Sequence, residues 1–189
     1  YRAAGHEVYF CICTNGNVGS STMPPEEIAA VRRAEAQAAA AVIGAHPIFL
    51  DFDDEFLLDT RETRLAVINA VRIATPEVVV CHWRNDYNPD HSISGFLVDE
   101  CVSMASIPNI KTDAAPIGHI PHVYYMDTPA GVNFVPELYV DITDVFATKV
   151  AMLSKHESQD SWMTDLFGYD MTTFLEIPGR YRGLQAGVP

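Results

Sequence analysis

Two kinds of apolar stretch alternate along the chain. Short runs rich in β-branched and aromatic residues predict buried strands, at residues 6–14, 48–50, 77–82 and 123–126. Longer stretches with apolar residues at helical spacing predict helices, at residues 24–43, 60–74 and about 91–105. Residues 139–158 are expected to hold the end of a strand and then a long helix.

This alternation predicts an α/β fold with a mainly parallel sheet and helices on both faces, in a Rossmann-like arrangement. Ligand sites of such sheets lie at the carboxyl ends of the strands. We therefore expect the loops after Thr14, His82 and Met126 to form the functional edge. The length of 189 residues fits a single domain, residues 1–189. Residues 1–5 predict the last turn of a helix that Gly5 ends, so we expect the chain to start inside the fold.

The net charge of the chain argues against two classes of binding partner. The chain has 12 basic and 25 acidic residues, a net charge of −13, whereas phosphate binding needs clustered Lys and Arg. A nucleic-acid partner or an anionic membrane surface is therefore not expected. No apolar run reaches the roughly 20 residues of a membrane span. The four cysteines include no CxxC pair, which favours free, mostly buried thiols and a reducing, cytoplasmic setting.

The densest group of chemically capable side chains is the run Asp-Tyr-Asn-Pro-Asp-His at residues 86–91. It follows a predicted strand and opens a predicted helix. The dipole at a helix N-terminus disfavours a protonated imidazole, so His91 is suited to bind a metal as a neutral ligand. Asp90 could cap the helix or orient a neighbour. The competing interpretation is that Asn88, Asp90 and Ser92 only cap the helix and that His91 is a surface residue.

Six segments, in order, are similar to motifs of the PIG-L/LmbE de-N-acetylase family. They are residues 4–8 (AGHEV), 14–20 (TNGNVGS), 32–35 (RRAE), 88–95 (NPDHSISG), 155–159 (KHESQ) and 181–187 (YRGLQAG). Each match alone is modest, but together they span nearly the whole chain in the family's order. The resemblance implies an LmbE-type fold and the removal of N-acetyl groups from N-acetylglucosaminyl conjugates.

The family resemblance also implies a bound metal, zinc or another divalent cation. In the family two ligands come from an N-terminal H-P-D-D-E motif and one from the last histidine of an H-P-D-H motif, which maps onto His91. The H-P-D-D-E motif and the first strand of the sheet should precede Tyr1, so we expect the given chain to lack both. The acidic run at residues 51–55 has no histidine and is expected to be a solvated loop.

One position departs from the family's pattern. Asn88 stands where the family has a histidine that polarises the substrate carbonyl, held by the aspartate that maps onto Asp90. An amide can donate a hydrogen bond to an oxyanion, but it carries no proton or charge. His156 or His82 could take over this catalytic role. The alternatives are that His82 packs in the core and that His156 lies on a helix surface.

Three further residues are expected to contact substrate. Arg32 maps onto a family arginine that does so, and Asn15 lies in the loop that resembles the family's TNGxxGS motif. Tyr125 lies at the end of a predicted strand, on the expected functional edge. The alternatives are a solvated helix charge for Arg32 and a core aromatic for Tyr125.

The function implied by the resemblance is a zinc-dependent hydrolase that removes an N-acetyl group from a small amino-sugar conjugate. Asp90, Asn88 and His156 would act in catalysis. The alternative is a catalytically impaired sugar-binding or oligomer-forming relative of the same fold, which Asn88 favours, and a homo-oligomer is left open. A nucleotide-binding module is disfavoured, because no GxGxxG or P-loop follows a strand.

Overall fold

Strands and helices alternate through the first two thirds of the chain, as the apolar pattern predicts. The structure, a computed structural model, describes residues 1–188. In chain order the elements are β1 Tyr9–Thr14, α1 Pro25–Ile43, β2 His46–Phe52, α2 Arg61–Ala74, β3 Val78–Cys81, α3 Pro89–Cys101, β4 His122–Tyr125, α4 Phe146–Leu153, α5 Glu157–Phe167 and α6 Met171–Ala186. Short 3-10 turns lie at Arg2–Ala4, Ser103–Ser106 and Thr143–Val145.

Two parallel strand pairs carry the fold. β1 pairs with β2, with Tyr9 opposite His46, and β3 pairs with β4, with Val78 opposite His122. The predicted α/β class with parallel strands is thus confirmed. Within residues 1–188 the two pairs form separate two-stranded sheets rather than one continuous sheet.

Side-chain alternation on β2 places helices on both of its faces. Leu50 and Phe52 pack against the main core cluster. Phe49 instead lies under the guanidinium of Arg33 on α1, 4.1 Å from its ring centroid, and Asp51 pairs with the same arginine at 2.7 Å. Successive residues of a strand point to opposite faces. The core cluster and α1 therefore lie on opposite sides of the β1–β2 pair.

The main core lies between α2, α3 and the strands. Its buried members are Leu57, Val67, Ile68, Val71, Leu97, Cys101, Val102, Ala105 and Ile117. Val79 of β3 and Val123 of β4 pack against this cluster, so both strand pairs share one core. The opposite face of the β3–β4 pair, where Val80 is 50% exposed, is left uncovered by the residues that the structure describes.

Local capping chemistry explains where the core helices begin. The Thr60 hydroxyl accepts the N–H of Thr63, and the Thr63 hydroxyl accepts the N–H of Thr60, which starts α2. α3 begins at Pro89 rather than at the predicted His91. The reason is that the Asn88 side chain accepts the N–H of His91, while Pro89 fits the first helical position.

The prediction for residues 139–158 is wrong. In the structure these residues contain no strand, α4 stops at Leu153, and α5 begins at Glu157. The physical reason is a tertiary contact. The carboxylate of Glu35 on α1 accepts both the backbone N–H and the hydroxyl of Ser158, at 2.8 and 2.6 Å. These bonds satisfy the first turn of α5 and separate it from α4. The pattern also did not predict α6.

The four thiols differ in their surroundings, and none is in a disulfide among the described residues. Cys81 and Cys101 are buried, as expected, whereas Cys13 is half-buried and Cys11 is exposed. The expectation of mostly buried thiols is therefore wrong for β1, whose Cys11 side chain is not covered by any described element. Separately, none of the helices in residues 1–188 has the length and apolar content that crossing a membrane requires.

Arg72 of α2 is the one arginine in the described residues with its side chain in the core, at 3% exposure. Its guanidinium donates to the carbonyls of Ala105, Ile107 and Ile110 at 2.8 to 2.9 Å. It also donates to the hydroxyl of Thr112 at 2.8 Å. Arg72 thereby pins the segment that leads from α3 towards β4.

Replacing Arg72 by Lys should lower the free energy of unfolding by about 3 kcal/mol, because an ammonium group cannot span these carbonyls and leaves buried acceptors unpaired. Urea unfolding measures the change. The control is Arg61→Lys at an exposed position of the same helix, which should stay within about 0.5 kcal/mol of wild type. A loss of less than about 1 kcal/mol for Arg72→Lys would contradict the pinning role.

Candidate functional site

The candidate site is built at the N-terminus of α3, just after β3 ends. Three short bonds fix this turn. Asp86 Oδ1 accepts the N–H of Asn88 at 2.9 Å, Asn88 Oδ1 accepts the N–H of His91 at 3.1 Å, and the Ser92 hydroxyl donates to the Asp86 carbonyl at 2.8 Å. The Asp86 side chain is fully buried as a result. The hydrogen bonds that cap α3 thus also fix the position of the Asp86 carboxylate.

Asp86 uses its second carboxylate oxygen to orient His91. Oδ2 lies 3.1 Å from His91 Nδ1. A carboxylate at this position holds the proton on Nδ1 and leaves Nε2 as the free ligand atom, which is the usual partner arrangement of a metal-binding histidine. The His91 side chain is 29% exposed, so it is accessible from outside. The role of His91 as a metal ligand stays a prediction, and this geometry supports it.

His82 lies against His91. The two rings stack with centroids 4.0 Å apart and planes 10° apart. Gly95 lets α3 approach the backbone of His82, because a Cβ there would lie 2.3 Å from the His82 carbonyl oxygen. Burial, and then the neighbouring His91, lower the pKa of His82 to about 4. His82 is therefore neutral near pH 7, and its buried Nδ1 has no hydrogen-bond partner among the described residues.

His82, Asp86 and His91 place ligand atoms within 4.8 Å of one another, and together they form the histidine cluster. Neutral imidazole nitrogen and carboxylate oxygen are donors that suit zinc. A cation about 2.1 Å from a ring nitrogen lies close to the plane of that ring. Two nearly parallel stacked rings do not share one such cation. This geometry supports His91, through Nε2, as the predicted ligand, with Asp86 as its hydrogen-bond partner and His82 as a neighbour.

Asp90 lies beside His91 but faces another way. Its carboxylate accepts the N–H groups of Glu55 at 2.8 Å and Leu57 at 3.2 Å. Asp90 is buried, and these bonds hold the loop after β2 against α3. The neighbour that Asp90 orients is thus a backbone segment rather than the Asn88 side chain. Its predicted catalytic role stays a prediction.

The acidic loop after β2 is hydrogen-bonded rather than simply solvated, which corrects the expectation for residues 51–55. Asp54 accepts from the Thr14 hydroxyl at 3.0 Å, and Asp53 accepts from the Asn17 amide at 2.9 Å. Asn15 accepts the N–H of Asn17 at 3.0 Å, so its side chain braces the loop after β1. The predicted contact of Asn15 with substrate stays a prediction.

The side chain of Arg32, on α1, packs against the loop after β1 and is not in open solvent. Its Nη2 donates to the Gly19 carbonyl at 2.8 Å, and its Nε is buried without a partner among the described residues. A Cβ on Gly16 or Gly19 would lie 2.4 or 2.3 Å from the Arg32 side chain, so both glycines make room for it. Burial lowers the pKa of Arg32, opposed by Asp54, and the guanidinium keeps its charge.

His156 lies close to Arg32, at the start of α5. Burial lowers the pKa of His156, while nearby Glu35 raises it and Arg32 lowers it. These three side chains share the region where Glu35 binds Ser158. His156 is thus half-buried in a polar cluster and not a fully exposed helix residue. Asp54 lies in the loop that Asp90 holds, and its negative charge acts on Arg32. The loop and the polar cluster therefore interact electrostatically.

Tyr125, predicted to contact substrate, uses its hydroxyl for Asp99 of α3. Asp99 also pairs with Arg84 at 3.0 Å. Burial, and then the bond to Asp99, raise the pKa of Tyr125 to about 12. Its ring meets the edge of Trp83 at 5.2 Å. The substrate role of Tyr125 therefore stays a prediction, with the ring rather than the hydroxyl free to serve it.

Two contacts at the candidate site could not be predicted from the sequence. Asp86 belongs to a dense polar group, but the pattern does not reveal its bond to His91. The available signal was a carboxylate five residues before a histidine, across a capped helix start. Glu35 binds Ser158, 123 residues further along the chain, and no local signal reveals that contact.

The model of the PIG-L family, GlcNAc-PI de-N-acetylase, matches residues 1–102. Diacetylchitobiose deacetylase from Thermococcus kodakarensis is 32% identical over 172 residues, which cover 84% of this chain and 62% of that protein. 4-Oxalmesaconate hydratase from Pseudomonas putida is 29% identical over 141 residues, covering 73% of this chain and 54% of that protein.

A solved structure agrees with the fold. N,N'-diacetylchitobiose deacetylase from Pyrococcus horikoshii, in complex with its inhibitor MPG, superimposes with a TM-score of 0.82 at 26% identity, covering 98% of this chain and 71% of that one. The chain spans less than two thirds of the length of both curated relatives. The family model matches more than half of the chain, and the chain therefore belongs to the PIG-L family of GlcNAc-PI de-N-acetylases.

Proposed function

We propose that this chain forms part of a metal-dependent hydrolase that removes the N-acetyl group from an amino-sugar conjugate. The observation that carries the proposal is the buried Asp86 carboxylate on Nδ1 of His91, in a chain 32% identical to a diacetylchitobiose deacetylase. The reaction adds water across the amide C–N bond and releases acetate and a free amine. The substrate class is a small N-acetylated saccharide.

Zinc is the cation that we propose, because it takes nitrogen and oxygen donors with an open coordination position. A bound cation supplies Lewis acidity, which activates water and polarises the acyl oxygen. His91 would ligate it through Nε2, and Asp86 would keep the ring in the matching tautomer. The neutral state of His82 near pH 7 supports the proposal, because a second positive charge beside the cation would repel it.

Asn88 and His82 are the proposed donors to the developing oxyanion. Asn88 uses its side-chain oxygen for the helix cap, which leaves its NH2 group free to donate. The partnerless Nδ1 of His82 can donate as a neutral imidazole when it carries the ring proton. Either donor can act without a change of charge, so the loss of the family's histidine at position 88 does not by itself exclude catalysis.

Arg32 and His156 are proposed to bind the saccharide. Arg32 donates to the Gly19 carbonyl, and its buried Nε has no partner among the described residues. His156 lies within electrostatic reach of Arg32 and Glu35. A guanidinium with spare N–H groups can donate to sugar hydroxyls or to an acidic substituent.

A hydratase is the second candidate function, because the chain is 29% identical to a 4-oxalmesaconate hydratase. Such an enzyme adds water across a C–C double bond and releases no acetate. A sugar-binding relative without catalysis would release no acetate either, yet would still bind the saccharide. These outcomes separate the three functions in one set of assays.

The finer expectations about assembly and location also stay proposals. A homo-oligomer is supported by exposed apolar side chains after β4 and on α6, among them Val135 at 87% and Leu184 at 79%. A cytoplasmic location is supported by the free thiols.

The decisive assay uses the full-length protein that contains this chain. Loaded with zinc, it should release acetate from N,N'-diacetylchitobiose, and a chelator should abolish the release. Zinc binding without acetate release, together with turnover of 4-oxalmesaconate, would instead establish the hydratase.

Replacing Asp86 by Asn should weaken zinc binding roughly 10- to 100-fold, because the amide removes the negative charge that orients His91 and raises its basicity. Competition with a chromophoric chelator measures the dissociation constant. Asp113→Asn, at an exposed aspartate, is the matched control and should leave it unchanged. Equal affinities for Asp86→Asn and wild type would exclude the orienting role.

Replacing Gly19 by Ala should raise KM about tenfold and leave kcat nearly unchanged. The new Cβ displaces the Arg32 guanidinium and costs one charge-assisted hydrogen bond. Gly118→Ala is the matched control, because a Cβ there meets nothing within 4 Å. Steady-state kinetics with the N-acetylated sugar measure KM and kcat of both variants. An unchanged KM for Gly19→Ala would show that Arg32 does not bind the sugar.

The chelator-treated protein should lose stability as the pH falls from about 6.5 towards 4. The pKa of His82 is lowered to about 4 in the folded state, so over this range the unfolded chain binds more protons. Above about pH 6.5 the His82 ring is neutral in both the folded and the unfolded chain, so no stability is lost there. His82→Gln should flatten this pH dependence in urea unfolding, whereas His122→Gln, at an exposed position, should not. An identical slope in His82→Gln would disprove the assignment.

A further inference from the structure

Arg182 of α6 binds both ends of the segment that follows β4. Its Nε donates to Asp127 Oδ2 at 2.6 Å, and its Nη2 reaches Asp127 Oδ1 at 3.2 Å. The same Nη2 approaches the carbonyls of Phe134 at 3.3 Å and Gly131 at 3.5 Å. Only 17% of the Arg182 side chain is exposed. One guanidinium therefore holds residues 127–134, which we call the clamped loop.

The clamped loop is also closed by its own bonds. The Thr128 hydroxyl donates to the Val132 carbonyl at 2.8 Å, and the Gly131 N–H donates to the Thr128 carbonyl at 2.9 Å. Thr128 is 2% exposed. Gly131 has a φ of 69°, and a Cβ there would lie 3.4 Å from Arg182 Nη2. The loop has little freedom to move while the arginine is in place.

On its other side the clamped loop lies against two aromatic residues. Trp83 Nε1 donates to the Asn133 carbonyl at 3.0 Å, and its ring meets Phe134 edge-on at 5.7 Å. Burial raises the pKa of Tyr87, and the nearby backbone of Ala130 opposes this shift, so Tyr87 lies close to the clamped loop. Asn133 has a φ of 60°, a left-handed conformation that costs energy for a residue other than glycine.

Trp83 directly follows His82, and Tyr87 directly follows Asp86. The clamped loop is therefore bonded to Trp83 at one end of the segment that leads into the histidine cluster, and it lies close to Tyr87 at the other end. Tyr87 is 52% exposed, and Trp83 is only half-buried. Half-exposed aromatic rings with polar groups at their edges suit a ligand that has both apolar C–H faces and hydroxyls.

We propose that the clamped loop, with Trp83 and Tyr87, forms the wall that recognises the sugar part of the substrate, and that Arg182 is the positioning residue for this wall. The proposal rests on the proposed function and names the part of the site that binds the saccharide beyond the acetyl group. Arg182 touches no reacting atom. It acts by holding a binding surface in its bound shape before the ligand arrives.

The test compares Arg182→Gln, Arg182→Lys and the control Arg180→Gln in the zinc-loaded full-length protein. Arg180 lies on the same helix with 70% of its side chain exposed. A Trp162→Phe background leaves Trp83 as the reporter in this chain, and any tryptophan outside it is replaced by Phe. Arg182→Gln should raise the acrylamide quenching of Trp83 about twofold and KM for N,N'-diacetylchitobiose roughly tenfold, because a charge-assisted clamp is lost. kcat and zinc content should stay within about twofold.

Arg182→Lys should show both effects more weakly than Arg182→Gln. Lysine keeps a positive charge beside Asp127, but it cannot also donate to the carbonyls of Gly131 and Phe134. Arg180→Gln should change neither. If Arg182→Gln fails to fold, Asp127→Asn breaks the same ion pair with Arg182 intact and should show the same effects, more weakly. Unchanged quenching of Trp83 would overturn the clamp. Increased quenching with unchanged KM, or loss of zinc with a fall in kcat alone, would overturn the recognition role.

Titration of Trp83 fluorescence with N-acetylglucosamine separates this proposal from the proposed function. If the protein releases no acetate, the enzymatic proposal fails, yet sugar binding by wild type that Arg182→Gln weakens still supports the wall. If acetate is released but Arg182→Gln binds and turns over the sugar as wild type does, the wall fails alone.

Discussion

The buried carboxylate of Asp90 links the two halves of this structure. The β1–β2 and β3–β4 pairs share no hydrogen-bond ladder within residues 1–188. Asp90 stands on the helix after β3 and accepts the N–H groups of Glu55 and Leu57 in the loop after β2. Leu57 in turn belongs to the common core. Unpairing these buried groups would cost several kcal/mol, so the carboxyl ends of both strand pairs stay in fixed relation.

The residues of the histidine cluster lie near the N-terminus of α3, where the helix dipole acts on their charges. The N-terminus of α3 carries partial positive charge, which favours the nearby carboxylates of Asp86 and Asp90 and disfavours protonated histidines. Because His82 is neutral near pH 7, it can stack on His91 at 4.0 Å without the repulsion that two imidazolium groups would feel. His82 thus supplies a neutral nitrogen donor beside the buried carboxylates.

Much of the fold could be predicted from the sequence, because strand periodicity and helix caps are local signals. The helix after β3 and the candidate ligand His91 follow from one short segment, although α3 starts two residues earlier than predicted. The break between α4 and α5 could not be predicted, because Glu35 imposes it from 123 residues away. For the same reason the bond between Arg182 and Asp127 was not seen, since 55 residues separate them. The order of elements is local, whereas the contacts that finish the site are long-range.

We propose that His91 binds the cation through Nε2 while Asp86 holds the proton on Nδ1. NMR of the full-length protein, labelled in its histidine nitrogens and loaded with NMR-active cadmium, tests it most directly. The account predicts scalar coupling between cadmium and Nε2 of His91, with a protonated Nδ1. Coupling to Nδ1, or no coupling to His91 in a protein that retains the metal, would contradict it.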